Sequence, residues 1–279
     1  MKNEPPVARR WRRFWHPGWW LLALALAGCA WLGWREYDFR CAIREAKAAG
    51  FWWESREPFD AIRKDWRAAF HKETWTERYR MVILPDGTDL AAARPLLTRL
   101  QPTVLVAPGC PNAHLDALRG IPALRGLDLS GCTGLPNVDA LRGLPALRRL
   151  DLSGCTGLLN VDALRGLPAL QELCLHGCTG LPNVDALRGL PALRRLDLVG
   201  CTGLLNVDGF RGLPALRELY LNGCTGLQNV DGLRGLPALQ VLHLHGCTAL
   251  PASALRELQS ALPKTDIHFP DGTNDPPAP

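Results

Sequence analysis

The motifs that usually carry enzymatic chemistry are missing from this chain of 279 residues. No glycine-rich phosphate loop, no Ser-His-Asp or Cys-His triad motif and no paired-carboxylate signature occurs in it. That excludes the motif-bearing nucleotide hydrolases and the common acyl-transfer enzymes. No C-x-x-C pair is present among the ten cysteines, which argues against a zinc module. Charge of one sign is also lacking. The net charge of +5 is concentrated at the start: Lys2, Arg9, Arg10, Arg12 and Arg13 stand against Glu4 alone within residues 1–34. The remainder carries 27 basic and 26 acidic residues, so it offers no broad basic footprint for nucleic acid.

The basic start precedes an apolar run. From Pro17 to Trp34 eighteen residues carry no charge, the short end of what spans a hydrocarbon core of about 30 Å. Trp15, Trp19 and Trp20 flank one end and Trp31 and Trp34 the other, the placement favoured by indoles at a membrane boundary. Arginines before the run predict an N-terminus inside and the rest of the chain outside. Residues 1–34 therefore read as a cytoplasmic basic tail and a single transmembrane anchor in the inner membrane. Leu26–Cys29, "LAGC", resembles a bacterial lipobox, so a lipoprotein anchored at Cys29 is the alternative, and a cleaved signal a third. All three place the remainder on the extracytoplasmic side.

Residues 35–84 read as a helical neck or N-terminal cap. Phe39, Ile43 and Ala46 have near-helical spacing, and Gly50 suits a helix C-cap. Pro58 suits a first turn, with Phe59, Ile62, Trp66 and Phe70 on one face of a second helix. That stripe reads as packing on the end of the next domain rather than as a partner surface. Tyr79–Leu84 is expected as a short strand, "PDGTDL" as a turn, and Leu90–Leu100 as a helix.

From Leu118 to Leu250 the sequence repeats with a period of twenty-three residues. Cys132, Cys155, Cys178, Cys201, Cys224 and Cys247 each lie one period apart, and Gly131–Leu152 recurs letter for letter at Gly177–Leu198. Two stacked columns of leucine follow: Leu127, Leu150, Leu173, Leu196, Leu219 and Leu242, and Leu129, Leu152, Leu175, Leu198, Leu221 and Leu244. Leu150 and Leu152 alternate with Arg149, Asp151 and Ser153, the pattern of a short strand with one buried face. In "NVDALRG" the aspartate reads as a helix cap and the glycine as a stop. So few residues lie between that one 3₁₀ turn is expected. Asp139 and Arg142, and their equivalents in each coil, stand close enough to pair, which neutralises the row Arg119, Arg142, Arg165, Arg188, Arg211 and Arg234. The segment from Leu96 is a shortened first coil with Cys110 in phase. At the far end a helix near Ser253–Leu262 and a strand near Asp266–Phe269 close the stack, and residues 270–279 read as a disordered tail.

The stretch "LRRLDLSGCTGL" fits L-x-x-L-x-L-x-x-C-x-x-L and resembles the leucine-rich repeat, in its short, cysteine-containing, internalin-like and bacterial form. The resemblance covers roughly Leu97 to Phe269, within a repeat domain drawn as residues 85–269. It implies an α/β solenoid, a horseshoe or arc with a parallel β-sheet and short 3₁₀ turns, here preceded by the transmembrane helix and the small helical region. It also implies cysteines that point into the core and bond the neighbouring coil, so free thiols are expected. That sits uneasily with an oxidising compartment.

In this family the solvent-facing side of the strands is the usual binding surface. Here it would carry Asp128, Arg149, Asp151, Glu172, Cys174, His176, Arg195, Asp197, Glu218, Tyr220, Asn222, His243 and His245. Cys174 with His176 suggests a nucleophile, and His243 with His245 a metal pair. The two pairs lie three coils apart and form no joint site, so no catalytic residue, metal or cofactor is expected. The binding patch expected is Arg195, Asp197, Glu218, Tyr220, Asn222 and His243 on the concave face, for a protein or polymer ligand. A structural spacer without a ligand is the first alternative, favoured by the repeated "RRLDL" faces. A receptor module of an effector-type ligase is the second, and it would need a catalytic domain beyond Phe269.

Overall fold

The computed structural model describes residues 81–110 and 114–270, together with the backbone of Trp52–Glu54. The chain divides into two compact units, Met1–Glu45 and Ala46–Pro279, and every described residue belongs to the second. The expected membrane anchor, the Cys29 lipobox, the helices before residue 80 and the tail lie outside the described residues. Among the described residues no helix is long and apolar enough to cross a membrane.

One arithmetic rule builds the solenoid. Leu129, Cys132, Leu135, Val138, Leu141, Leu144, Leu147 and Leu150 are all buried, and each follows the last by three residues. Leu152 then follows by two. Seven steps of three and one of two make the period of twenty-three. A three-residue step is the repeat of 3₁₀ geometry, in which positions i and i+3 eclipse. The backbone obeys it: the amides of Leu141, Leu144 and Leu147 donate to the carbonyls of Val138, Leu141 and Leu144 at 2.9, 3.0 and 3.1 Å. The single step of two is the strand, where side chains alternate between faces.

Strands β1 (Trp52–Glu54), β2 (Met81–Ile83), β3 (Val104–Val106), β4 (Gly126–Asp128), β5 (Arg149–Asp151), β6 (Glu172–Cys174), β7 (Arg195–Asp197), β8 (Glu218–Tyr220), β9 (Val241–His243) and β10 (Asp266–His268) form one sheet in sequence order. Every pair from β2 to β10 is parallel and in register, so Leu127, Leu150, Leu173, Leu196, Leu219 and Leu242 stack as a column. Each member is at most 2% exposed. Burying one such side chain is worth about 1.5–3 kcal/mol, and no coil has enough of them to fold alone.

Within residues 35–84, read as a helical neck, Trp52–Glu54 is a strand. It pairs antiparallel with β2, Trp52 opposite Ile83 and Glu54 opposite Met81. Bulky aromatics favour extended backbone, and this strand gives the edge of β2 backbone partners that a parallel ladder leaves free. Helix α1 (Leu90–Leu100) follows the turn, with the Asp89 carboxylate accepting from the Ala91 amide at 2.8 Å. Leu90, Ala93, Leu97 and Leu100 face the core. At the other end α2 (Ala252–Ala261) buries Leu255 and Leu258.

The return turns are 3₁₀ helices, at Asp139–Gly143, Asp162–Gly166, Asp185–Leu187, Asp208–Phe210 and Asp231–Leu233. The aspartate expected to cap them does not. The asparagine two residues earlier caps instead: Asn137 Oδ1 accepts from the Asp139 amide at 3.1 Å, and Asn160, Asn183, Asn206 and Asn229 repeat the contact. An Asx turn needs its acceptor two residues ahead of the donor, and asparagine holds that place. The aspartate is left free to meet the arginine. Arg119–Asp116, Arg142–Asp139, Arg211–Asp208 and Arg234–Asp231 pair at 2.8–3.1 Å. Arg188 donates to the Asp208 carbonyl instead, at 3.3 Å.

The cysteines line the core. Cys155, Cys178, Cys201, Cys224 and Cys247 each donate Sγ–H to the carbonyl of a leucine in the preceding coil, at 3.0–3.3 Å. All eight described cysteines carry free thiols in this structure.

Coils from Val207 onward approach their predecessors closely at one point. Gly209 replaces the alanine found at Ala163 and Ala186, and a Cβ there would stand 2.1 Å from the Val184 carbonyl oxygen. Restoring the alanine of the other coils, normally a stabilising choice, is therefore expected to destabilise. Urea denaturation should show Gly209→Ala losing about 1–3 kcal/mol and Leu196→Ala about 2–5 kcal/mol. Leu205→Ala, on a side chain 51% exposed, should stay within about 0.5 kcal/mol.

Candidate functional site

Alternation along each strand sends the residues on either side of the buried leucine to the opposite face of the sheet. Register stacks them into two columns. One runs Arg149, Glu172, Arg195, Glu218, alternating in sign. Arg149 pairs with Glu172 at 3.1 Å and Arg195 with Glu218 at 3.0 Å. Each pair offsets its own charges, and the column continues through Val241 to the exposed Asp266.

The other column runs Asp128, Asp151, Cys174, Asp197, Tyr220, His243, His268. Its first part is not open. Asp128 and Asp151, expected on the solvent-facing side, are 8% and 4% exposed. Each carboxylate turns back on its own chain: Asp128 accepts from the Ser130 amide at 2.9 Å and Asp151 from the Ser153 amide at 2.8 Å. Asp151 also accepts from the Ser153 hydroxyl. The flanking Met81, Val104 and Val106 are apolar and buried together, with Ile83 packed on them. Asp197 makes the same turn, accepting from the Val199 amide at 3.0 Å, so it holds backbone rather than reaching outward.

Cys174 sits between these aspartates. Its sulfur lies 3.0 Å from the Ser153 hydroxyl. Burial, reinforced by the charges of Asp151 and Asp197, pushes its pKa up to about 12, so the thiol stays protonated and is not a ready nucleophile.

The C-terminal part of the column is different. The Tyr220 and His243 rings stack with centroids 4.9 Å apart, and His243 and His268 stack at 4.2 Å, both pairs within 9° of parallel. On the other side of Tyr220 the Arg195 guanidinium carbon lies 4.7 Å from the ring centre. Glu218 ties the arrangement together, accepting from both Arg195 and the Tyr220 hydroxyl, the latter at 3.2 Å. The result is a continuous pile of flat groups, Arg195–Tyr220–His243–His268, one per coil. Asn222 holds the next turn by accepting from the His245 amide at 3.0 Å. Of the six residues expected to form the patch, Arg195, Glu218, Tyr220 and His243 are brought into direct contact, while Asp197 and Asn222 support loops beside them.

His243 does not pair with His245, as the sequence suggested, but with His268, which sequence reasoning missed. The strand holding His268 was expected, yet α2 lengthens that coil, so His268 falls twenty-five residues after His243 and out of phase with the repeat. Among the described residues no cluster of three or more His, Cys, Asp or Glu side chains suits a metal ion. Burial first, then the neighbouring His268, depresses the pKa of His243 below the ordinary histidine range. Asp266, 3.4 Å from His268, opposes this weakly.

No known protein family matches the chain, and no curated protein matches it. Solved structures do. The leucine-rich repeat domain of the type III effector XopL superposes with a TM-score of 0.51 at 22% identity, over 80% of this chain and 81% of that one. Internalin C2 of Listeria monocytogenes gives 0.41 at 24% identity, over 59% of this chain and 80% of its own. The Toll–Spatzle complex of Drosophila gives 0.49 at 17%, over 62% of this chain and 24% of that one. Such identities speak for fold alone.

His243 makes stability pH-dependent with a definite sign. His243 takes up a proton less readily folded than unfolded, so acidification through about pH 6.5 favours the unfolded chain. The urea midpoint should fall between pH 7.5 and 5, and His243→Phe, which keeps a flat ring but cannot titrate, should lose less of it. The twenty-three-residue period, the parallel sheet with one strand per coil and the likeness to the XopL repeat domain together give this chain the leucine-rich repeat fold.

Proposed function

We propose that this chain is a membrane-tethered interaction module with no catalytic activity, binding a protein or polymer through the C-terminal part of its open strand face. The observation that carries the reading is the Arg195–Tyr220–His243–His268 stack. It is a pre-ordered, partly exposed group that includes an arginine and a tyrosine, residue types enriched in binding hot spots. Its side chains are fixed before any partner arrives, so less entropy is lost on contact. The neighbouring charges are spent on each other and on backbone, which leaves shape and ring edges as the recognition elements. The neutral Cys174 thiol supports a non-enzymatic role. The basic flank and uncharged run within residues 1–34 support the tether, with the repeats on the extracytoplasmic side of the inner membrane. A lipid anchor at Cys29 serves the same end.

Two measurements test this. Proximity labelling in native cells should tag a partner that wild type retains and Tyr220→Ala/His243→Ala loses, while the thermal midpoint of the double variant stays near that of wild type. Equal labelling by both proteins removes the patch. Protease added to spheroplasts should degrade the repeats without lysis, and protection would overturn the topology.

A further inference from the structure

The thiol ladder is regular in five coils and breaks at its first rung. In the regular coils each thiol has its own acceptor, a leucine carbonyl of the preceding coil: Leu129, Leu152, Leu175, Leu198 or Leu221. By the same rule the acceptor of Cys132 is the Ala107 carbonyl, and here the contact stretches to 3.7 Å. The competitor is Cys110, whose thiol donates to that same carbonyl at 3.2 Å. The Cys110 amide in turn donates to Cys132 Sγ at 3.2 Å. Cys110 and Cys132 hold the same place in their coils, each five residues after the paired leucines Leu105 and Leu127, so the two thiols face each other across one coil boundary. Two sulfurs thus converge on one oxygen.

We propose that Cys110 and Cys132 are a disulfide-forming pair that ties the shortened first coil to the first full coil. The regular ladder thiols are poor candidates, because each is drawn along its own carbonyl, parallel to its neighbours, and a disulfide needs side chains that turn toward each other. Reactivity follows the same division. The hydrogen bond from Cys110 makes Cys132 more acidic than an ordinary thiol, whereas burial pushes Cys155, Cys174, Cys178, Cys201, Cys224 and Cys247 up. Cys132 is thus the attacking thiolate and Cys110 the resolving thiol.

The oxidant is a disulfide, as in oxidised glutathione or a thiol–disulfide oxidoreductase. The Cys132 thiolate attacks one sulfur of it, forming a mixed disulfide and releasing one thiolate. Cys110 then attacks the Cys132 sulfur, loses its proton and expels the second. Two protein thiols are oxidised and one disulfide is reduced to two thiols. Both cysteines are fully buried, so the exchange proceeds during folding or when the coils at the N-terminal end of the sheet open together. The bond removes the most acidic thiol of the ladder, Cys132, which fits a life outside the cytoplasm, although it does not depend on that location.

The full-length protein, treated with oxidised glutathione, alkylated in denaturant and digested with trypsin without reduction, tests the pair. Peptides 100–119 and 126–142 should run as one linked species, with the other ladder cysteines alkylated. Recovery of both peptides alkylated, or of either joined to a different cysteine, overturns the proposal. This wild-type mapping needs no variant. Cys110→Ala should abolish the link and Cys178→Ala should keep it. Reductant should lower the thermal midpoint of oxidised wild type and leave that of Cys110→Ala unchanged. A midpoint insensitive to reductant in both would show that the bond does not tie the coils.

Discussion

The structure depends on lateral contact between successive coils. No coil encloses a core. Its leucines, valine and cysteine are covered only by the coil before and the coil after, and its strand amides are paired only across the same boundary. The period follows from that constraint. Seven eclipsed three-residue steps keep one edge of the backbone turned inward, and a single two-residue step supplies the strand that locks one coil to the next. Any coil that departs from this length must displace side chains at its boundary, and both ends of the stack do so.

Those departures are where the molecule becomes specific. The regular coils offer similar faces, with self-cancelling Arg–Glu pairs and aspartates bonded to their own backbone. In the first coil Cys110 takes the carbonyl that serves as the acceptor of Cys132. The coil lengthened by α2 delivers His268 onto His243 and completes the stack of rings. A ring pile of this kind exposes edges rather than faces, so it offers directional contacts at fixed coil spacing, about 4.8 Å apart.

Much of the fold was legible because periodicity is a local signal. The leucine columns, the cysteine column, the 3₁₀ turns, α1 and the closing helix all follow from spacing and from the turn residues between. The capping residue was misread, since Asn137 and Asp139 are both good caps in isolation and only the backbone decides which faces an amide. Four of the expected patch residues meet because consecutive strands in register must place their equivalent residues side by side. Burial of Asp128 and Asp151 was not legible, since strand alternation says which face a side chain takes and nothing about what lies over that face.

The sequence by itself determined the repeat, its period, the inward and outward faces of each strand and the row that each residue joins, because these follow from steps along the chain. Tertiary structure decided which groups touch across coils of unequal length: Cys110 with Cys132, and His243 with His268 rather than His245. Equivalent places in neighbouring coils need not be one period apart, and the contact that results is set by where packed neighbours leave room, a quantity that spacing along a chain does not contain.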